Sequence, residues 1–424
     1  MSTTDLEPKP ANSAADTTAP PAPDIGVDGS KEAIGLPIFG GIKIGWDALL
    51  TTLPIYIGLI AVWIYFDVLT GGTFTSSRNI SEMFQEYSYK PVLAIGVVFV
   101  LLLGEIDLSL GYLTLLSITL TAAFSANLHF PAAAAILAAI AICIALGLAQ
   151  GLLIAWVRMP AFVVTLGGFL IFEGIAYNMV GGATINVFDT FITGLGSTFL
   201  SPGVGIGLAT VAVLCYILYG LNGRRGRARA GLVNAPIARF VVGVVALAVL
   251  LEGLVLFVNT YRGVPLALVI LGSLATFFWF FSRRLPFGRH IYAVGGNLEA
   301  SRRAGINTTG VRWIVFGISG LMAGIAGVML VGYGQAASTT TAGPDLLLDV
   351  ISIAVIGGVS LTGGKGSVWA VLLGGLVIAS VDSGLNLLGT ISPYFVYVIK
   401  GAILLLAILI DVVGKRRGGL AIRR

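Results

Sequence analysis

Carboxylates and glycines interrupt the apolar sequence in one short segment, GEIDLSLGY at 104–112. Hydrophobicity resumes only at Leu108. A carboxylate in hydrocarbon costs about 2.5–3.5 kcal/mol on insertion scales, so such groups face water, protein or a break in a helix. Asp107, with Ser109 near it, is suited to cap the next span on the cytoplasmic side. The segment therefore predicts a broken helix, marked by Gly104, Glu105, Asp107, Ser109 and Gly111.

A second glycine-rich segment, VIGGVSLTGGKGS at 355–367, lies in the later half of the chain. It lacks the spacing of a phosphate-binding loop, so it does not indicate nucleotide binding. Transport proteins use paired interruptions of this kind to bend helices around a pathway. We expect a second helix break at Gly357, Gly358, Gly363 and Gly364. The topology below places both breaks on one side of the membrane, so they do not indicate an inverted repeat.

Polar residues with helix-capping types dominate a third segment, RRLPFGRHIYAVGGNLEASRRAGINTTG at 283–310. Asn297 is suited to cap a short helix, Glu299 falls in its first turn where the helix dipole favours an anion, and Gly305 is suited to end it. Such a helix is too short and too polar to cross a membrane. The alternative interpretation of this segment is a simple surface turn.

The elements that carry these segments are predicted to be membrane helices. The 424 residues are 57% hydrophobic and 11% charged, which is too little charge for a soluble chain of this length. We therefore expect an all-α polytopic bundle of about 12 transmembrane helices, with 10–12 as the range, because apolar runs of about 20 residues recur. The predicted spans are 48–67, 83–103, 108–127, 131–157, 161–181, 203–221, 239–259, 264–282, 311–334, 345–361, 368–388 and 391–413.

The basic residues give an orientation, since positively charged loops stay cytoplasmic. With both termini inside and twelve spans, all but four of the 25 basic residues fall on the inner side. Arg78, Lys90 and Arg262 are assigned to outer loops. Lys400 falls in the last span, where its amine is expected to reach the interface. Topology explains the basic clusters without a nucleic-acid partner, although contact with membrane lipid is expected.

Three regions are predicted along the chain. Residues 1–45 are rich in Pro, Ala, Ser, Thr and Asp and should form a disordered cytoplasmic tail. Residues 46–414 form the membrane domain, including the cytoplasmic loop 283–310, and residues 415–424 form a basic cytoplasmic tail. The two cysteines suggest neither a disulfide nor a metal site, and no cluster of catalytic residue types is present.

The loop 283–310 resembles the Glu-Ala-Ala…Gly loop of ABC import permeases. More specifically, GRHIYAVGGNLEASRRAGI at 288–306, together with the segments at 104–112 and 355–367 and with DSGLNLLG at 382–389, is similar to the ribose, arabinose, galactose and xylose permeases. The similarity covers about residues 75–413. An extra pair of spans, in part within 203–259, with its basic loop and NTYRGVPLALV at 259–269, resembles the longer D-xylose permeases. That family commonly has Gly-Gly-Ile-Asp or Ser-Gly-Ile-Asp where this chain has Gly104-Glu105-Ile106-Asp107, so Glu105 departs from its pattern.

The resemblance implies a function and a set of partners. The chain would be the permease subunit of an importer in the inner membrane of a bacterium, translocating a monosaccharide, with a pentose such as D-xylose favoured. It would hold no cofactor itself, because ATP and Mg²⁺ bind a separate ATPase subunit. A soluble sugar-binding protein and a second permease chain, as a homodimer, are further expected partners. The coupling contacts to the ATPase would be Glu299, Ala300, Ser301, Arg302, Arg303 and Gly305.

A sugar pathway needs polar, uncharged side chains among apolar walls. The candidates are Thr165, Asn178, Gln335, Asp382 and Asn386, with Glu173 and Glu252 as rarer charged ones. Each has an alternative role in hydrogen bonding between helices. A second function stays open, namely a self-contained secondary transporter driven by an ion gradient. It would need an acid or an acid–base relay at mid-membrane and would leave the loop 283–310 unexplained.

Overall fold

The structure is a computed structural model that describes residues 46–389 and 395–402 and positions 405 and 409, with side chains from residue 55 onward. The predicted tails 1–45 and 415–424 and part of the predicted span 391–413 lie outside the described residues. The described chain is helical, with two short antiparallel ladders at its loops.

Fifteen helices follow one another in the main described segment. They are α1 Trp46–Leu69, α2 Ser77–Tyr87, α3 Tyr89–Leu102, α4 Leu110–Ala122, α5 Ala132–Ala155, α6 Ala161–Val180, α7 Thr190–Ser197, α8 Pro202–Arg229, α9 Ile237–Asn259, α10 Leu266–Arg284, α11 Pro286–Gly296, α12 Leu298–Arg303, α13 Thr308–Gly334, α14 Pro344–Ile356 and α15 Ala370–Leu388. A π-helical turn, Ala123–Asn127, extends α4. The strands are β1 Ile185–Asn186, β2 Phe199–Leu200, β3 Val264–Pro265 and β4 Ala336–Ala337, and β1 pairs with β4 and β2 with β3.

Eight helices of the described residues are long and apolar enough to cross a membrane, so the chain is a helical membrane bundle. Two shorter apolar helices, within α1 and at α3, join them. Apart from the spans 83–103 and 391–413, the predicted spans agree with the helices to within about five residues, except that α8 continues to Arg229. The number twelve and the orientation of the termini remain predictions.

The predicted span 83–103 was wrong in detail, because two helices occupy this region. Ser76 caps α2 by accepting a hydrogen bond from the backbone N–H of Asn79, and α3 begins at Tyr89. Lys90 was assigned to an outer loop, but it lies in the first turn of α3 and is only 7% exposed. A charged residue beside a polar stretch resembles a loop in sequence, although here the amine has buried partners.

The centre of the bundle is α13, which packs against α3, α4 and α5. Its contact with α5 uses small residues, since Gly320 lies against the backbone of Cys143 and Gly147. Close backbone approach of this kind supplies the packing that holds helices together where lipid offers no hydrophobic drive. The main core is formed by α3, α4, α13 and α14, whose apolar side chains are buried.

Two non-helical segments enter the bundle beside α13. The first, 103–109, leaves α3 and leads to α4, and Asp107 on it accepts a hydrogen bond from the Ser319 hydroxyl at 3.3 Å. Ser319 lies about 16 Å along α13 at 1.5 Å per residue, close to the middle of a helix about 40 Å long. The second segment, 335–343, leads from α13 into α14. Gly111 and Gly343 touch so closely that a Cβ at Gly111 would overlap the Gly343 carbonyl. The half-helices α4 and α14 therefore begin side by side, level with the middle of α13.

The helices α8 and α9 form a peripheral hairpin whose side chains are mostly exposed. The Thr210 hydroxyl donates to Glu252 Oε1 at 2.8 Å and links its two members. Val255 and Val258 are buried in a small cluster with residues of α2. The hairpin thus adds to the bundle from the side.

Candidate functional site: an elbow, two helix breaks and a buried charge quartet

The helix predicted within 283–310 is present as α12. The Asn297 side chain accepts a hydrogen bond from the backbone N–H of Ala300 at 2.8 Å, and Glu299 pairs with Arg303 at 3.2 Å. Gly305 follows the helix with φ +81°, a value that favours glycine. The preceding residues form the additional helix α11, which sequence reasoning missed. Together α11 and α12 form an elbow, 286–303, between α10 and α13.

The outer surface of this elbow is open in the described chain. Glu299, Ala300, Arg302, Arg303 and Gly305 are exposed, whereas Ser301 is 5% exposed and faces the protein. A depression of about 470 Å³ lies beside α12. Its lining consists of Phe287, His290, Ala304, Gly305, Ile306, Asn307, Gly310, Val311 and Ile314.

The inner surface of the elbow rests on both predicted helix breaks. The Leu102 carbonyl, at the end of α3, accepts a hydrogen bond from the backbone N–H of Gly364 at 2.9 Å. Gly295 of α11 packs on the same carbonyl, and any Cβ there would overlap it. The Tyr292 hydroxyl donates to the Gly366 carbonyl at 3.1 Å, and burial raises the pKa of this phenol, which favours its neutral, donating form. The elbow and the two breaks are therefore one contact unit.

The first break is also tied to α13 by a salt bridge between Glu105 and Arg312. The two side chains are 12% and 21% exposed. Asp107 accepts hydrogen bonds from the Ser109 backbone N–H at 2.9 Å and its hydroxyl at 2.6 Å. The prediction that Asp107 caps α4 was wrong in detail, because Ser109 occupies the N-cap position. Asp107 and Glu105 Oε1 are thus paired with protein groups, whereas Glu105 Oε2 is buried without a hydrogen-bond partner among the described residues.

The second break is a turn between α14 and α15. Gly358, Gly363 and Gly364 all have positive φ, at +92°, +85° and +69°. Gly363 packs against the backbone of Gly104, which itself has φ +77°. Both breaks therefore meet on one side of the bundle, the side on which the elbow lies. The sequence did not reveal the third irregular segment, 335–343, which has no glycine-rich or charged signal comparable to the other two.

Four charged side chains are buried together within the bundle. We name Lys90, Asp349, Asp382 and Lys400 the charge quartet. Lys90 Nζ lies 2.7 Å from Asp349 Oδ2 and 2.5 Å from Asp382 Oδ2. Lys400 Nζ lies 3.0 Å from Asp349 Oδ2 and 2.7 Å from Asp382 Oδ1. The side chains are 6–8% exposed, or 15% for Lys400. Two cations share two anions, so the buried group is neutral, as the cost of burying charge requires.

The quartet corrects the prediction for Lys400, which does not extend to the membrane interface. Its amine instead joins the helical segment 395–402 to α14 and α15. Lys90 joins α3 to the same two helices and also lies 4.9 Å from the centre of the Tyr87 ring. Sequence reasoning missed the quartet because its members are far apart in the chain. The only available signal was a charged residue in each of four predicted spans or their borders.

The candidate pathway residues do not come together in one place. Thr165 is buried on α6, 3.5 Å from the Ile106 carbonyl. Asp382 belongs to the quartet, and Asn386 donates to the Tyr87 hydroxyl at 2.8 Å one turn further along α15. Asn178 is exposed near the end of α6, and Gln335 is exposed after α13. Only Asp382 and Asn386 therefore share a neighbourhood.

The two rarer charged candidates have different surroundings. Glu173 on α6 accepts a hydrogen bond from the Tyr112 hydroxyl at 2.8 Å, whereas Glu252 lies in the peripheral hairpin. Within the part of the chain that the structure describes, no group of three or more His, Cys, Asp or Glu residues could hold a metal ion.

The chain resembles known transport proteins over most of its length. Residues 79–408 match the family described as branched-chain amino acid transport system / permease component. The xylose transport system permease protein XylH of Haemophilus influenzae is 38% identical over 86% of this chain and 98% of its own length. The protein of the same name from Escherichia coli is 35% identical over 92% of this chain and 98% of its own length. The ribose import permease protein RbsC of Escherichia coli is 30% identical over 80% of this chain and 87% of its own length.

No solved structure matches the chain. The family match covers both breaks, the elbow and the quartet, and the relatives align along nearly their whole length. The chain therefore belongs to this family of transport permeases, as the membrane subunit of an ABC importer whose ATPase is a separate subunit.

Proposed function

We propose that this chain translocates a monosaccharide, with a pentose such as D-xylose favoured, across the inner membrane of a bacterium. The proposal is supported by the relatives named for xylose and ribose transport, and by the longer chain with its peripheral hairpin. In this function ATP and Mg²⁺ bind only the ATPase subunit. A soluble sugar-binding protein delivers the sugar, and a second permease chain, as a homodimer, completes the importer. The chain crosses the membrane twelve times with both termini inside.

The observation that carries the proposal is the contact unit formed by the elbow and the two breaks. An exposed short helix, α12, offers Glu299, Ala300, Arg302 and Arg303 to a partner and has a depression beside it. Ser301, included among the predicted coupling contacts, supports α12 from inside instead. We infer that the ATPase subunit contacts this surface.

The same unit gives a physical route for coupling. The elbow touches the end of α3 through Gly295 and the turn before α15 through Tyr292. A displacement of α12 would therefore act on two interrupted spans at once. Because packed interfaces have discrete arrangements rather than continuous ones, a small shift at the elbow can switch the bundle between outward and inward access.

The ion-coupled alternative gains one observation, since the charge quartet is an acid–base cluster inside the bundle. The amines and carboxylates of the quartet are, however, fully paired with each other, at 2.5–3.0 Å. The family match, moreover, is to permease components of ABC importers. The quartet is better explained as a structural tie between α3, α14, α15 and the last helical segment.

The test is reconstituted transport in liposomes that contain the permease, its ATPase and its sugar-binding protein. We expect ATP-dependent uptake of labelled D-xylose, with slower uptake of hexoses. Replacing the exposed Ala300 of α12 by tryptophan should lower uptake at least tenfold and release the ATPase during purification. Ala230, equally exposed after α8, provides the matched control as Ala230→Trp, which should leave both unchanged. Uptake that persists without the ATPase and follows an ion gradient would contradict the proposal.

A further inference from the structure

A carboxylate lies within a group of aromatic rings where α4 and α6 meet. The Tyr112 hydroxyl donates to Glu173 Oε1 at 2.8 Å. The Phe169 ring meets the Tyr112 ring edge-on at 4.5 Å between centres, and the Tyr177 ring lies 6.3 Å from it. Tyr112 is 5% exposed, whereas Tyr177 is 38% exposed and Glu173 is partly exposed. The group is therefore buried at Tyr112 and accessible at Tyr177 and Glu173.

The aromatic group lies near the middle of the membrane domain. Glu173 is about 18 Å along α6, a helix about 30 Å long. Tyr112 is in the first turn of α4, next to the contact between Gly111 and Gly343. The group therefore stands beside the point where the half-helices α4 and α14 begin.

The open side of this group is unsuited to lipid. Segment 103–109 is not helical, and Ile106 on it is 42% exposed. Non-helical backbone at membrane depth is tolerated only where protein or a water-filled cavity covers it, because its polar groups find no partners in hydrocarbon. A carboxylate is likewise costly against lipid. Thr165 of α6 is buried against the Ile106 carbonyl, and Glu173 contacts Tyr112 just after the segment, so α6 runs beside it and the open side of the group faces water or protein.

We propose that Tyr112, Phe169, Glu173 and Tyr177 form a contact site for a neutral monosaccharide inside the translocation path, an inference that rests on the proposed function. Aromatic rings offer apolar faces to the C–H groups of a sugar ring, while their hydroxyls remain available for hydrogen bonds. The carboxylate accepts hydrogen bonds from sugar hydroxyls, which are stronger than neutral ones. A few polar groups placed among apolar walls are typical of small-molecule sites.

A purely structural role makes a different prediction. If the bond between Tyr112 and Glu173 only holds α4 to α6, its loss costs stability in proportion to one interhelical hydrogen bond. Such bonds contribute only modestly to stability within membranes. Transport per folded molecule would then stay the same, and sugar would not change the reactivity of a cysteine placed at position 177. The two roles are therefore separable by experiment.

The first measurement is uptake of labelled D-xylose by the reconstituted importer carrying Glu173→Gln. The matched control is Glu252→Gln, because Glu252 also accepts a hydroxyl hydrogen bond at 2.8 Å but lies in the peripheral hairpin. We expect Glu173→Gln to lower uptake at least tenfold per ATP hydrolysed, with unchanged thermal unfolding, and Glu252→Gln to stay within twofold of the unaltered protein. Equal uptake by the two variants would overturn the site.

The second measurement does not depend on the folding of the Glu173 variant. Tyr177→Cys, in a chain whose exposed Cys215 is replaced by serine, is treated with a water-soluble thiol reagent. We expect D-xylose at millimolar concentration to slow the reaction severalfold, whereas mannitol does not. An unchanged rate would overturn the site. If the unaltered importer takes up no monosaccharide at all, the proposed function fails instead, so the two failures are distinguishable.

Discussion

Replacing Asp382 by asparagine tests whether the charge quartet holds the bundle together. Asp382 accepts from Lys90 at 2.5 Å and from Lys400 at 2.7 Å, and its side chain is 7% exposed. The substitution keeps the shape but leaves two buried cations on one remaining anion, Asp349. Removing one partner from a buried ion pair costs about 3–5 kcal/mol, because the uncompensated charge stays out of water. We expect a loss of that size in the free energy of unfolding.

The assay is equilibrium unfolding of the purified protein in mixed micelles with increasing SDS, followed by circular dichroism. Glu299→Gln is the control, since Glu299 and Arg303 form a pair that is 59% and 79% exposed. Exposed pairs contribute at most about 1 kcal/mol, so this variant should unfold almost like the unaltered protein. Both variants remove one carboxylate charge, and only burial distinguishes them.

A second variant, Asp382→Asn combined with Lys400→Met, restores neutrality inside the bundle. Replacing buried charges by apolar groups of similar volume is often neutral in stability, so more than half of the lost free energy should return. The reasoning is refuted if Asp382→Asn costs no more than Glu299→Gln. It is also refuted if the double variant is as unstable as the single one.

Two further predictions concern the elbow and the first break. Gly295→Val should lower ATP-dependent uptake at least tenfold, because its side chain would overlap the carbonyl at the end of α3, whereas Gly296→Val, with open space around it, should transport normally; equal uptake by both would contradict this contact. A double-mutant cycle of Glu105→Gln and Arg312→Gln in the same unfolding assay should give a coupling energy of about 1.5–3 kcal/mol, as for a partly buried charged hydrogen bond, and additive effects would show that the pair contributes nothing.

Helix positions and the elbow helix were predictable because they depend on local sequence. Apolar runs of the right length mark the spans, and Asn297 with Gly305 marks α12 through capping and termination. The meeting of the two glycine breaks on one side was consistent with the topology derived from basic residues. These features need no knowledge of distant contacts.

The quartet and the Tyr112–Glu173 contact were not predictable for the opposite reason. Lys90 and Asp382 are 292 positions apart, and a lysine beside a polar stretch resembles a loop residue until its partners are known. Glu173 was identified as a candidate, but nothing near it in sequence indicates a tyrosine 61 positions earlier. Segment 335–343 likewise became visible only through its packing against α4.

The side-by-side starts of α4 and α14 also place two helix N-termini against each other, which has an electrostatic consequence for charged and neutral solutes. The N-terminus of a helix carries roughly half of one positive elementary charge. Gly111 and Gly343 bring two such ends into contact near the middle of the bundle. The carboxylates of Asp107, before α4, and of Asp345, in the first turn of α14, offset part of this positive potential. We expect the potential that remains to act on a cation at this contact, as half-helix dipoles do elsewhere, and to have little effect on a neutral solute.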